Sequence, residues 1–116
     1  MKNFKNLHVW QKSIELVKKV YENTAEFPLS EMYGLTSQIR RSAVSIPSNV
    51  AEGAGRGSKE FHHFLNIAIG SCFELETQLI IAMELQFISE KNFTELNELL
   101  SEIQKMIFGL QKKVIS

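Results

Sequence analysis

The chain has 116 residues, 44% of them hydrophobic and 22% charged, which fits one folded domain and excludes both a disordered chain and a two-domain one. Lys plus Arg and Asp plus Glu each total 13, so the formal net charge is zero. That excludes the broad basic surface of a free-standing nucleic-acid binder and leaves only a local patch for such a role.

The spacing of apolar residues predicts a first helix from Leu7 to Thr24. Trp10, Ile14, Val17 and Tyr21 form its stripe, and Val9, Leu16 and Val20 widen it. Lys12, Glu15, Lys18, Lys19 and Glu22 cover the opposite face, with Glu15 and Lys19 at an i,i+4 spacing. In the connection Phe27-Pro28-Leu29-Ser30, Ser30 is placed to cap a second helix from Glu31 to Ala54. Leu35, Ile39, Ala43, Ile46 and Val50 make its stripe, while Gln38, Ser42, Ser45, Asn49 and Gly53 form a narrow second face small enough for close helix approach. Pro47 removes a backbone donor inside this helix and is expected to kink it, with Ser45 or Ser48 serving the freed carbonyl.

Gly55-Arg56-Gly57 ends the second helix, and Ser58 is placed to cap a third from Lys59 to Phe87, about 40 Å long. Phe61, Phe64, Leu65, Ala68, Cys72, Leu75, Leu79 and Ala82 form its main stripe; Ile67, Ile69, Phe73, Ile80, Ile81 and Met83 lie outside it. Ser89 caps a fourth helix with Glu90 in its first turn. Its residues Phe93, Leu96, Leu100, Ile103, Ile107, Leu110 and Val114 alternate spacings of three and four, a heptad seam; Leu99, Met106 and Phe108 lie off it.

Four helices joined by short breaks imply a single all-α domain over residues 1–116, an antiparallel up-down-up-down four-helix bundle. The surplus apolar faces of the third and fourth helices point to a homo-oligomer with cyclic symmetry; the alternative is that these side chains cover one another inside a single bundle. The first ten residues hold no long apolar run, so no secretory signal is expected. No apolar stretch reads as long enough to span a bilayer, and a cytoplasmic location is the expectation. Cys72 stands alone among Ile69, Phe73 and Leu75, where a small buried hydrophobe is expected rather than a disulfide.

The chemistry-bearing residues are sparse. His62 and His63 are adjacent and diverge by about 100° on a helix, so they cannot ligate a metal in the i,i+4 manner. Gly53-Ala54-Gly55-Arg56-Gly57-Ser58-Lys59 lacks the spacing of a phosphate loop. Two readings of it remain: an anion site at the N-terminus of the third helix flanked by Arg56 and Lys59, or a turn that needs glycine for a left-handed conformation. Arg40 and Arg41 diverge on the second helix, and one of them is expected to pair with Glu52, Glu74 or Glu76. Glu74 and Glu76 flank Leu75 and do not form an acid/base pair. Residues 1–24 carry a net +3 and residues 58–88 a net −3, so Lys2, Lys5, Lys12, Lys18 and Lys19 could form a basic stripe that assembly would multiply.

A long run ties the chain to a known family. Leu7-His8-Val9-Trp10, Phe27-Pro28, Glu31-Met32-Tyr33-Gly34-Leu35, the segment from Gln38 through Arg40-Arg41 and Ile46-Pro47-Ser48-Asn49 to Glu52-Gly53, then Gly55-Arg56, Phe64-Leu65-Asn66-Ile67-Ala68, Gly70-Ser71 and Glu74-Leu75-Glu76 resemble the four-helix bundle family of 23S rRNA intervening-sequence proteins, also labelled S23 ribosomal protein. The resemblance covers nearly the whole chain. It implies a barrel-like homopentamer and a similarity to the accessory variability determinant of diversity-generating retroelements, a basic pentamer that works with a reverse transcriptase and RNA. It carries over no catalytic residue.

The expectation is therefore a non-enzymatic, oligomeric accessory protein associated with RNA or a ribonucleoprotein; the alternative is an oligomeric scaffold that binds a protein partner without touching nucleic acid. The candidate nucleic-acid or anion contacts are Lys12, Lys18, Lys19, Arg56 and Lys59, and the expected structural positions are Arg40, Arg41, Pro47, Asn49, Glu52 and Gly53. Aromatic stacking platforms are not expected, because Trp10, Tyr21 and Phe64 fall on apolar stripes. No cofactor, metal, membrane or small-molecule substrate is expected.

Overall fold

Four amphipathic segments close into four α-helices: α1 (His8–Thr24), α2 (Leu35–Ala54), α3 (Ser58–Glu84) and α4 (Glu90–Ile115). The computed structural model describes residues 3–115, and among them there are no strands. Short 3-10 turns at Phe4–Asn6 and Leu29–Glu31 precede α1 and α2. Each helix packs against its neighbours in the order α1, α2, α3, α4 and back to α1, and among the described residues the backbones of the diagonal pairs stay more than 8 Å apart. The result is a bundle measuring 44 × 24 × 20 Å.

The core is aliphatic. Val9, Leu16 and Val20 of α1 meet Ile39, Ala43, Ile46 and Val50 of α2, Leu65, Ala68, Cys72, Leu75 and Leu79 of α3, and Leu96, Leu100, Ile103 and Ile107 of α4. The stripes expected for α2 and α4 are buried through their middles, from Ile39 to Val50 and from Leu96 to Ile107, while Leu35, Phe93, Leu110 and Val114 at their ends are half-buried. The stripe expected for α1 is not: Trp10, Ile14 and Val17 are half-buried and Tyr21 is 43% exposed. The buried face runs instead through Val9, Ser13, Leu16, Val20 and Thr24. Ser13 and Thr24 tolerate burial because their hydroxyls donate to the carbonyls of Val9 (2.6 Å) and Val20 (2.8 Å), one turn back.

α2 begins later than the sequence suggests. Residues 29–31 form the 3-10 turn, so Ser30 is not the cap; Gly34 holds the cap position, and Glu31 Oε1 accepts the Leu35 amide at 3.2 Å. The helix continues without a break through buried Pro47. Ser48 donates to the Val44 carbonyl at 2.8 Å, not to that of Ala43, the acceptor four residues before the proline. Asn49 Nδ2 donates to the Ser45 carbonyl (2.8 Å) and hydroxyl (2.9 Å).

α2 and α3 share the most extensive interface in the bundle. The small face of α2 makes this possible, with Ser45 and Ser71 hydroxyls 2.8 Å apart. A Cβ added to Gly53 would lie 2.7 Å from Phe64 Cβ and 2.9 Å from Phe61 Cδ1. Gly53 is thus glycine for steric reasons, and none of the described glycines has a positive φ, which corrects the left-handed turn expected here. The residue before α3 is Gly57, and Ser58 is already helical, so Ser58 is not the cap.

α3 ends at Glu84, three residues before Phe87. Gln86 adopts φ 64°, and the amides of Gln86 and Phe87 bond back to the carbonyls of Met83 and Ala82, both at 2.9 Å. This closure turns Phe87 inward against Phe27, ring centroids 5.7 Å apart. Ser89 caps α4 as expected, accepting the Asn92 amide at 3.1 Å. By length and composition α3 is apolar enough to cross a bilayer, a correction to the sequence expectation. Its fully buried Leu65, Ala68, Cys72 and Leu75 make it a core helix of the bundle.

Candidate functional site

The cations proposed from sequence fall in two groups, and each is partly neutralised. On α1, Lys12 Nζ lies 4.0 Å from Glu15 and 3.7 Å from Glu102 of α4. Lys18 and Lys19 are exposed along a shallow depression that also contains Glu15 and Glu22, and among the described residues neither makes an ion pair. Lys2 lies outside the described residues. At the α2–α3 junction the Arg56 guanidinium bridges Glu52 (3.1 Å) and Glu60 (3.0 Å) and lies 5.1 Å from the Phe64 ring centroid. Its hydrogen bonds to Glu60 and then Glu52, with the negative charge of both, push its pKa upward. The Glu60 and Glu52 carboxylates therefore occupy Arg56 at the N-terminus of α3. Lys59 is exposed and unpaired among the described residues.

Arg40 and Arg41 form no ion pair among the described residues, against the expectation of a carboxylate partner. The half-buried Arg40 donates from Nε to Thr24 Oγ1 at 2.9 Å, and its guanidinium carbon sits 4.4 Å from the Tyr21 ring centroid. It ties α2 to α1 through a hydroxyl and an aromatic face. Arg41 is exposed between two grooves. The larger, about 560 Å³, runs between α1 and α2 and is lined by Tyr21, Met32, Tyr33, Thr36, Arg40 and Val44 among others, with no carboxylate. The smaller, about 320 Å³, lies between α2 and α3 and includes Glu74 and Gln78. Tyr33 is 97% exposed at the larger groove, so aromatic platforms do exist beside a pair of arginines. The sequence reading missed them because Tyr21 was assigned to a core stripe and Tyr33 to the second helix. The structure places Tyr33 in the turn just before α2.

A second surface is apolar. On the outer side of α3, Ile67, Phe73, Ile80 and Ile81 are each between 39% and 50% exposed, and a Cβ at Gly70 would meet nothing within 4 Å. α4 adds less than expected: Leu99 and Met106 pack against the core, and only Phe108 of its extra apolar residues is exposed.

Reactive groups are quiet. Burial, then the charge of Glu76, pushes the Cys72 thiol up to about 12, so it is protonated and unreactive near neutral pH. Among the described residues no three His, Cys, Asp or Glu side chains gather in a way that could hold a metal ion.

The sequence matches the family described as 23S rRNA-intervening sequence protein over residues 5–109. The chain belongs to this family. Among solved structures, this 23S rRNA-intervening sequence family member is similar to a protein of unknown function from the S23 ribosomal protein family of Bacteroides thetaiotaomicron VPI-5482. The two are 25% identical, the match covers 90% of this chain and 98% of that one, and the TM-score is 0.80. No curated protein matches the chain.

Proposed function

We propose that the chain is a non-enzymatic, homo-oligomeric accessory protein of the cytoplasm that works alongside RNA or a ribonucleoprotein. The observation that carries the reading is the outer face of α3, where Ile67, Phe73, Ile80 and Ile81 leave apolar surface open around a bare Gly70. Several half-exposed large apolar side chains along one helix face point to an interface on a soluble domain. A ring of identical bundles is the simplest way to cover it, and the family resemblance favours a barrel-like homopentamer. The antiparallel course is supported, for α2 and α3, by Gly53 beside Phe61 and Phe64 and by Ser45 beside Ser71, earlier on α2 and later on α3. The RNA association is supported by the family's description and by the cations that carry no carboxylate partner.

Light scattering at micromolar concentration tests the assembly: a mass several times 13.3 kDa is expected. Phe73→Glu together with Ile80→Glu should reduce that mass while leaving helicity intact. A native mass of one chain overturns the reading. A specific observation favours a scaffold as the second reading: Lys12 and Arg56 are already paired with carboxylates, which weakens any diffuse attraction to phosphate. RNA binding that is absent at low salt, with the oligomer intact, would select the scaffold.

A further inference from the structure

The surface around Arg41 holds polar groups that neither core packing nor the apolar face of α3 accounts for. Two buried side-chain atoms lack a hydrogen-bond partner, Thr36 Oγ1 and Gln78 Oε1, on residues only 5% and 8% exposed. Thr36 lines the larger groove and Gln78 the smaller, and the two grooves share Arg41 and Ser45. Both atoms are buried beneath the grooves, with almost no accessible surface of their own, so they mark imperfect polar packing there and lie out of a ligand's reach. The same surface is cationic without compensation in the larger groove. Arg41 has no acidic partner among the described residues, Arg40 uses only Nε internally, and no Asp or Glu lines that groove. Tyr33 stands at this groove with its ring almost wholly exposed.

We infer that the larger groove binds a nucleoside phosphate, with the phosphate on Arg41 and the free Nη atoms of Arg40 and the base stacked on Tyr33. The chemistry follows from the groups present. Two guanidinium groups recognise a phosphate by charge-assisted hydrogen bonds. An open phenol ring is a sequence-tolerant platform for a base. A volume of about 560 Å³ suits a ligand of that size. The inference rests on the RNA-associated reading only for the source of the ligand, because the groove lies within one chain.

The test titrates AMP and a fluorescein-labelled oligoadenylate of about ten nucleotides against the full chain at fixed salt, with native mass measured in parallel. Arg41→Glu should weaken both probes about tenfold and Tyr33→Ala about fivefold. Lys59→Glu, an equal change of charge elsewhere, should weaken them by less than about twofold. Tighter binding of the oligonucleotide than of AMP identifies a strand as the source of the ligand, and equal binding identifies a single nucleotide. Equal losses for Arg41→Glu and Lys59→Glu would reduce the effect to diffuse attraction and overturn the inference. So would a fall in native mass on Tyr33→Ala, which would make the groove a contact between copies. Failure of both probes with the oligomer intact overturns the groove and leaves the assembly standing. A single-chain mass with groove-dependent binding does the reverse.

Discussion

The two halves of α2 meet α3 and the solvent under opposite rules. From Ser45 to Ala54 the helix presents small residues to α3, and each polar group on that face has a partner: Ser45 with Ser71, Asn49 with Ser45, Glu52 with Arg56. From Leu35 to Val44 the same helix leaves Thr36 Oγ1 unpartnered, Arg41 without an acid and Val44 40% exposed. The closed half is built for stability, since helix backbones can approach only where side chains are small. The open half leaves polar groups unsatisfied, a mark of imperfect polar packing there. The signature run from Gln38 to Gly53 thus spans a structural half and a half with surface chemistry to spare.

The strongest way to break this contrast is at Gly53. A Val side chain there collides with Phe61 and Phe64 and must push α2 away from α3. We expect Gly53→Val to cost about 3 kcal/mol, measured by urea unfolding. Gly70→Ala, in open space on the outside of α3, should instead stabilise the folded chain by about 1 kcal/mol through helix propensity. Equal responses at the two glycines would show that the α2–α3 approach is not close.

A pH series sharpens the picture of the core beside this seam. Cys72 is fully buried with its thiol pushed from an ordinary 9.0 up to about 12. Between those values the folded state keeps a proton that the unfolded chain has lost, so the unfolded state binds fewer protons and stability falls as pH rises. The contribution is intact below pH 9.0 and erodes toward about 12, at about 1.4 kcal/mol per pH unit. Cys72→Ala should remove that part of the slope, read as the difference between the two unfolding series. An identical slope in the variant would mean that the thiol is not buried in the folded chain.

How much of this the sequence revealed depended on where polarity was hidden. The α4 seam and the α2 stripe were legible because their buried positions are plainly aliphatic. The α1 stripe was assigned one position off, because Ser13 and Thr24 look polar in sequence and conceal their hydroxyls against backbone carbonyls, while Tyr21 looks apolar and faces the groove. The neutralisation of Arg56 had a readable signal, since Glu52 and Glu60 sit four residues to either side. The helix break between them obscured it. The groove had no such signal: Tyr33 lies in the turn before α2 rather than inside the helix, and the unpartnered state of Thr36 and Gln78 exists only once the helices are packed.

Within the closed half, Ser71→Ala removes one hydroxyl of the Ser45–Ser71 pair, and Ser45 keeps its bond from Asn49. We expect a loss of about 1 kcal/mol. A double-mutant cycle with Ser45→Ala isolates the coupling, and a coupling of zero would mean that the 2.8 Å approach contributes only packing.

The smallest effect should fall in the open half, and its sign is the informative part. Thr36 is buried, yet its Oγ1 has no partner, so the folded chain loses the hydroxyl's hydration and gains no bond in return. Valine has nearly the same shape and no hydroxyl. Thr36→Val should therefore be neutral or stabilising, by less than about 1 kcal/mol, where Ser71→Ala destabilises. The two substitutions each remove a buried hydroxyl from the surroundings of one helix, so opposite signs report on partnership rather than on burial. A clear destabilisation by Thr36→Val would show that the hydroxyl is bonded in the free protein, and the division of α2 into a satisfied and an unsatisfied half would fail at the residue on which it most depends.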